Sequence, residues 1–265
     1  MARDDAIGIF DSGVGGLTVM HEILAALPGE NVIYLGDTAR YPYGTKSPET
    51  ITRYSIENTE FMLEKGVKLL VVACNTMSAV ALDAIRKRAD VPVVGVIEPG
   101  AKAAAVATTN GRVGVVGTDA TIASGSYTTA LRRNRGGLEI YTRACPLFVP
   151  LAEEGWTDND VARAVAALYL ESLRASGIDT LILGCTHYPL LKQVIGDFLG
   201  RAVRLVDSAE ETAREVSEVL RSDGLERLGG PGSASFFVTD APERLIRVGR
   251  RFLGQRVESA VRIER

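Results

Sequence analysis

The 265-residue chain is poor in cysteine, histidine and tryptophan, with three, two and one of them. Cys74, Cys145 and Cys185 are too few and too scattered for a disulfide framework, so free thiols in a reducing compartment are the default. A structural zinc site wants four ligands at recognisable spacing, and Cys185 with His187 stands alone. No metal is expected, and exchanging protons with Cys185 or a leaving base is the better use of His187. His21 reads as a partly exposed side chain of the first helix. An excess of one charge is also missing. Thirty Lys+Arg against 33 Asp+Glu give −3, and Arg132-Arg133 and Arg250-Arg251 are too short to form a footprint, so no nucleic-acid partner is expected. No run approaches the ~20 apolar residues that span a bilayer. The start, Met1-Ala2-Arg3-Asp4-Asp5, has no apolar stretch of signal type behind it, so the expectation is a cytoplasmic protein without membrane contact.

What is present is an alternation of short apolar runs and helical patterns. Ile7–Phe10, Val32–Leu35, Leu69–Ala73 and Val91–Ile97 read as strands. Between them lie helices from Leu17 to Leu27, from Ser47-Pro48 to Lys65-Gly66, and over 76–88. Val113–Thr118 restarts the pattern. Thr157 with Asp160 can cap a helix reaching Ser176-Gly177; strand 180–183, a helix from Pro189 to Leu199 and strand Val203–Val206 follow. The shift that carries Cys74 onto Cys185 also carries Val93-Val94-Gly95 onto Arg204-Leu205-Val206, which reads as an internal duplication of about 100 residues. A capped helix from Ser208, a strand at Phe236–Val238 and a helix after Pro242 close the chain. The expected class is α/β: two similar domains, each a mainly parallel sheet flanked by helices, with the active site in the cleft between them. Residues 1–98 with 208–265 would form a discontinuous first domain and 99–207 the second.

In open parallel sheets, ligands bind beyond the carboxyl ends of strands. Asp11, Cys74, Thr118 and Cys185 all fall there. Cys74 opens onto Asn75-Thr76 and Cys185 onto Thr186-His187, so the chain makes one device twice, with a thiol at each tip. Buried cysteines are often plain small hydrophobes, but two in matched positions favour a working pair. A helix starting after either would lower the thiol pKa and aim backbone N–H groups at an anion. Asp11-Ser12-Gly13-Val14-Gly15-Gly16 resembles a phosphate-binding turn, and Asp37 follows at about the distance of a dinucleotide fold. Thr18 stands where the third glycine belongs, which counts against that reading. Asp11 suits a helix N-cap, or a partner for a substrate ammonium or a shared proton. Tyr41-Pro42-Tyr43-Gly44 is a turn whose Gly44 N–H and Tyr43 could reach a ligand. A NAD-dependent dehydrogenase and a two-lobed amino-acid binding protein are the rival readings; the first leaves the paired cysteines unexplained.

Five segments together carry a resemblance: Phe10 to Leu17, Asp37 through Gly44, Ala73-Cys74-Asn75-Thr76, Cys145 to Leu151, and Leu183 to Pro189. On them the chain resembles the glutamate racemases of the cofactor-independent aspartate/glutamate racemase family. The resemblance implies interconversion of L- and D-glutamate for peptidoglycan, with aspartate the nearest rival substrate, no cofactor, and a homodimer. It implies Cys74 and Cys185 as the two acid/bases, Asp11 supporting Cys74, and Glu153 and His187 supporting Cys185. Substrate contacts carry over to Asp11, Ser12, Tyr43, Gly44, Asn75, Thr76, Thr186 and His187, with Thr118 and Thr121 less firmly matched. Glu154 is outside the pattern. Residues past about 220 carry no family signature, and Cys145 receives no role.

Overall fold

Strands covered on both faces read as nearly unbroken apolar runs, and this chain has such runs in two groups. The computed structural model describes residues 2–253 and 257–264. Its first stretch runs β1 (Ile7–Asp11), α1 (Leu17–Ala26), β2 (Val32–Gly36), α2 (Pro48–Glu64), β3 (Leu69–Val72), α3 (Asn75–Val80), α4 (Leu82–Arg88) and β4 (Val93–Gly95). A second stretch follows with α5 (Ile97–Ala107), β5 (Arg112–Gly117), α6 (Asp119–Ala123), α7 (Ser126–Asn134), β6 (Glu139–Ala144) and α8 (Phe148–Glu154). It continues with α9 (Asp160–Ala175), β7 (Thr180–Gly184), α10 (Lys192–Leu199) and β8 (Arg204–Asp207). The chain then adds α11 (Ser208–Ser222), β9 (Ala234–Val238), α12 (Pro242–Leu253) and β10 (Val261–Arg262).

The strands form two sheets, β10-β9-β2-β1-β3-β4 and β6-β5-β7-β8, and every pairing is parallel. The order β6-β5-β7-β8 repeats β2-β1-β3-β4. Cys74 and Cys185 therefore follow equivalent strands, β3 and β7. Side chains alternate between faces with a period of two. Ile7, Ile9, Leu69 and Val71 pack toward α1, α11 and α12, while Phe10, Leu70 and Val72 face the helices on the other side. In the smaller sheet Leu181 and Leu183 pack toward α9 and α10, and Ile182 with Val113 and Val115 toward α5 and α7. No helix among the described residues is long and apolar enough to cross a membrane.

Some boundaries differ from the sequence reading. The helix expected over 76–88 is two helices that meet at Ala81. The strand expected over 91–97 shrinks to Val93–Gly95, because Ile97 already starts α5. The cap of α9 is Asn159, whose side chain accepts from the Ala162 amide, not Thr157. The helix expected from Pro189 begins as a 3₁₀ turn, Tyr188–Leu191. His21 is exposed.

At the end of the six-stranded sheet away from the cysteines lies a buried ion pair. Lys68 Nζ sits 2.6 Å from Glu30 Oε2 and donates to the Arg3 carbonyl at 2.6 Å; Glu30 Oε1 accepts from the Arg227 amide at 2.8 Å. Both side chains are nearly inaccessible. The pair ties four separated parts of the chain together.

Candidate active site

The ends of β1, β3, β5 and β7 converge on a cavity of ≈ 370 Å³ between the two sheets. That lies at the small end of the roughly 300–1,000 Å³ of ligand pockets. Cys74 and Cys185 both line it, and so do Ser12, Tyr43, Gly44, Asn75, Thr76, Thr118, Glu153, Thr186 and His187. Asp11 and Thr121 are not part of the wall. Asp11 lies behind it, 1 % exposed; its Oδ2 accepts from the Gly13 amide at 2.9 Å and its Oδ1 has no partner.

The surroundings of the two sulfurs differ. Cys74 Sγ donates to Ser12 Oγ at 3.6 Å. Burial, then the neighbouring Asp11 carboxylate, push its thiol up to about 12. This corrects the expectation of a thiol acidified by a helix. The helix after Cys74 is only Asn75–Val80, and desolvation outweighs its amides. Burial likewise raises Asp11, against the opposing pull of His187 and the amides of Gly13, Gly16 and Ser12.

Cys185 Sγ lies 3.8 Å from His187 Nδ1, and His187 Nε2 lies 3.0 Å from Glu153 Oε1. The chain thus lines up thiol, imidazole and carboxylate, the order in which a carboxylate orients a base that serves a nucleophile. Burial disfavours the imidazolium, but hydrogen bonds to Cys185 and Glu153 outweigh it and raise His187 to about 10. Glu153 shows the converse: burial raises it, and His187, Arg244 and Tyr41 together bring it below the ordinary carboxylate value.

A pH effect follows. His187 is raised above its ordinary 6.5, so its stabilising contribution is complete below about pH 6.5 and is lost as pH rises through about 10. Over that window the melting temperature should fall more steeply in the parent chain than in His187→Gln. Parallel curves would remove the argument. The groups facing this ring are Cys185, Glu153, Asp11, the tilted ring of Tyr41 and the perpendicular ring of Phe252.

The remaining wall is rich in donors. Asn75 Oδ1 accepts from the Tyr127 hydroxyl at 2.6 Å, which leaves Asn75 Nδ2 buried and unpartnered at the cavity. Such a donor is costly unless an acceptor arrives. Thr76, Thr118 and Thr121 join their hydroxyls in a triangle with edges of 3.0, 3.3 and 2.9 Å, across the gap between α3 and α6. An oxygen-rich anion fits these groups. Tyr43 is less available than its sequence position implied, because its hydroxyl is engaged by Asp37 and by Asn58 at 3.3 Å.

The glycine-rich turn serves close approach and not phosphate. A Cβ on Gly15 would lie 2.3 Å from Thr186 Oγ1 and 2.5 Å from His187 Nδ1; one on Gly13 would strike Tyr41, and one on Gly16 the Asp11 side chain. Thr18, the residue that spoils the dinucleotide pattern, donates its hydroxyl to the Thr186 carbonyl at 3.1 Å and so ties the first turn to the Cys185 turn. Asp37 is held by Arg40 at 2.7 Å and by Thr239 at 2.9 Å, with no face left for a ribose. Gly15 has no positive φ, so alanine fits the backbone, and the atoms its Cβ strikes first belong to Thr186 and His187. Gly15→Ala should then lower turnover about 100-fold, the effect of ~1 Å displacement at a reacting group, with the circular dichroism spectrum kept. Unchanged turnover would show that the His187 position is not used.

Sequence reasoning missed Tyr41 and Arg244. Both line the cavity, and Arg244 Nη2 lies 2.8 Å from Glu153 Oε2. Arg244 belongs to α12, a segment without any motif.

The model of the family described as Asp/Glu/Hydantoin racemase matches residues 7–216. A glutamate racemase from Geobacter metallireducens is 62 % identical over 250 residues, covering 94 % of this chain and 93 % of its own. Among solved structures, glutamate racemase from Thermus thermophilus, in complex with β-chloro-D-alanine, has a TM-score of 0.91 at 45 % identity, covering 100 % of this chain and 98 % of that one. Glutamate racemase from Francisella tularensis, in complex with D-glutamate, has a TM-score of 0.93 at 35 % identity, covering 99 % and 98 %.

Proposed function

The chain belongs to the Asp/Glu/hydantoin racemase family, and from that premise we propose that it interconverts L- and D-glutamate by proton transfer between two thiols. It is an amino-acid racemase, an isomerase. One observation carries the mechanism: the sulfurs of Cys74 and Cys185 border one cavity, each from the end of an equivalent strand in a different sheet.

One thiolate takes the α-proton of glutamate from one face. The electron pair stays on the α-carbon, and the opposite thiol gives its proton to the other face. The first sulfur ends as a thiol and the second as a thiolate, the state that serves the opposite enantiomer, and proton exchange with water restores the starting state. Each group must change its protonation state in the course of a turnover. His187, held by Glu153, supports an anionic Cys185; Asp11 and Ser12 attend Cys74. The α-proton is a far weaker acid than a thiol, so the carbanion-like state needs preorganised donors in a dry site. Asn75 Nδ2 and the hydroxyls of Thr76, Thr118 and Thr186 suit the substrate carboxylates. The chain's own groups supply acid and base, so the reaction draws on no cofactor.

The finer assignments rest on the resemblance: glutamate over aspartate, supply of D-glutamate to cell-wall peptidoglycan, a cytoplasmic location and a homodimer. The domain division proposed is 1–98 with 208–265, and 99–207. Racemisation of each glutamate enantiomer in deuterated water, followed by circular dichroism and mass, tests the proposal. Product should carry one solvent deuterium at the α-carbon. Product without it sinks the two-thiol scheme, and faster turnover of aspartate sinks the substrate.

A further inference from the structure

Glu153 is where the two parts of the chain meet over the site. It lies at the end of α8, beside the four-stranded sheet, yet half of its partners come from α12, which packs on α1 of the other sheet. Its Oε1 faces His187 at 3.0 Å and its Oε2 faces Arg244 at 2.8 Å. Arg251, on the same face of α12, donates to the Glu153 carbonyl oxygen, and Phe252 meets the His187 ring edge-on, with centroids 5.9 Å apart. Among the described residues lining the cavity, Arg244 is the only arginine or lysine.

With both oxygens engaged, the Glu153 carboxylate cannot turn away from His187. With Arg244 gone, Oε2 loses its ion pair, Tyr41 alone is left beside His187 to hold the group, and the carboxylate can rotate more freely. Resting on the two-thiol reading above, we propose that Arg244 is a positioning residue for the Cys185 half of the site. It acts through Glu153 to hold the His187 ring against the Cys185 sulfur, and it has no part in transfer at Cys74. The groups facing Glu153 are His187, Arg244, Tyr41 and, at its backbone, Arg251. Arg244 is one of the groups that hold this carboxylate ionised, so without it Glu153 takes up a proton at higher pH.

The two directions of a racemase share one kcat/KM ratio, because the enantiomers have equal free energy. An asymmetry confined to one thiol is therefore hidden in kcat/KM and is read from isotope effects. The test uses α-deuterated L- and D-glutamate in light water with the parent chain, R244Q and R244K. R244Q should lower kcat about 10–100-fold, as misplacement of a reacting group does, with KM little changed. Its isotope effect should grow for the enantiomer whose deuteron passes to Cys185 and shrink for the other. The acid limb of its rate profile should move up in pH. R244K keeps the charge and should recover part of the rate and of the limb; it gives the same readouts at smaller amplitude if R244Q does not fold. Isotope effects that change equally for both enantiomers, or an acid limb that stays put, overturn this proposal alone. A parent chain that leaves both enantiomers unchanged overturns the two-thiol reading and this proposal with it.

Discussion

Serine in place of Cys74, or of Cys185, should lower glutamate racemisation about 10²–10⁴-fold, the usual worth of a positioned acid or base. The geometry makes this a clean comparison. Serine is smaller than cysteine and keeps a hydroxyl near Ser12 or His187, the partners that hold the sulfurs at 3.6 and 3.8 Å. The pocket is then kept and proton affinity alone is changed, since an alcohol is a far weaker acid than a thiol. Binding should survive, so calorimetric titration of each variant with glutamate is expected to show near-parental affinity beside lost turnover. The two changes should also fail to add up, because one missing group already breaks the relay. A serine variant at either position that keeps most of the parent rate would refute the mechanism.

The second large effect is on stability. Glu30→Gln keeps an amide oxygen beside Lys68 but removes the carboxylate, so the buried ammonium is left without a counter-charge. Breaking a buried pair from one side costs about 3–5 kcal/mol, because an uncompensated charge remains out of water. Lys68→Met should cost a similar amount. Joint replacement, Lys68→Met with Glu30→Leu, should cost less than either, since no charge is then stranded. Urea midpoints of the three variants decide this. Single variants that unfold at the parental midpoint would show that water reaches the pair. The effect should be confined to stability, as the pair lies at the end of the sheet remote from the cysteines.

The central strands and both thiol positions were legible in the sequence because each central strand is a short apolar run ended by a polar turn. β1, β3, β5 and β7 carry that signal undiluted. The edges carried less. β6 is a half-exposed edge strand with Glu139, Thr142 and Arg143 in it, and its composition hides it. α6 and α7, separated by Gly125, are too short for a clear helical period. Glu153 entered by resemblance alone, since nothing in Glu153-Glu154 tells which acid meets His187. Arg244 and Thr18 act through contacts between parts of the chain far apart in sequence, which no local pattern encodes. The purpose of the glycine-rich turn was hidden for a different reason. Glycine gives room for any close neighbour, and the sequence does not say that the neighbour of Gly15 is an imidazole.

The repeated strand order has a bearing on ancestry. A one-lobed precursor, pairing with itself, would have offered its substrate two identical sulfurs, each tuned by the same neighbours. Within one polypeptide the two sets of neighbours need not match, and here they do not: a carboxylate and a hydroxyl attend one sulfur, an imidazole and a carboxylate the other. A catalyst for a perfectly symmetric equilibrium thus has a left hand and a right hand of its own.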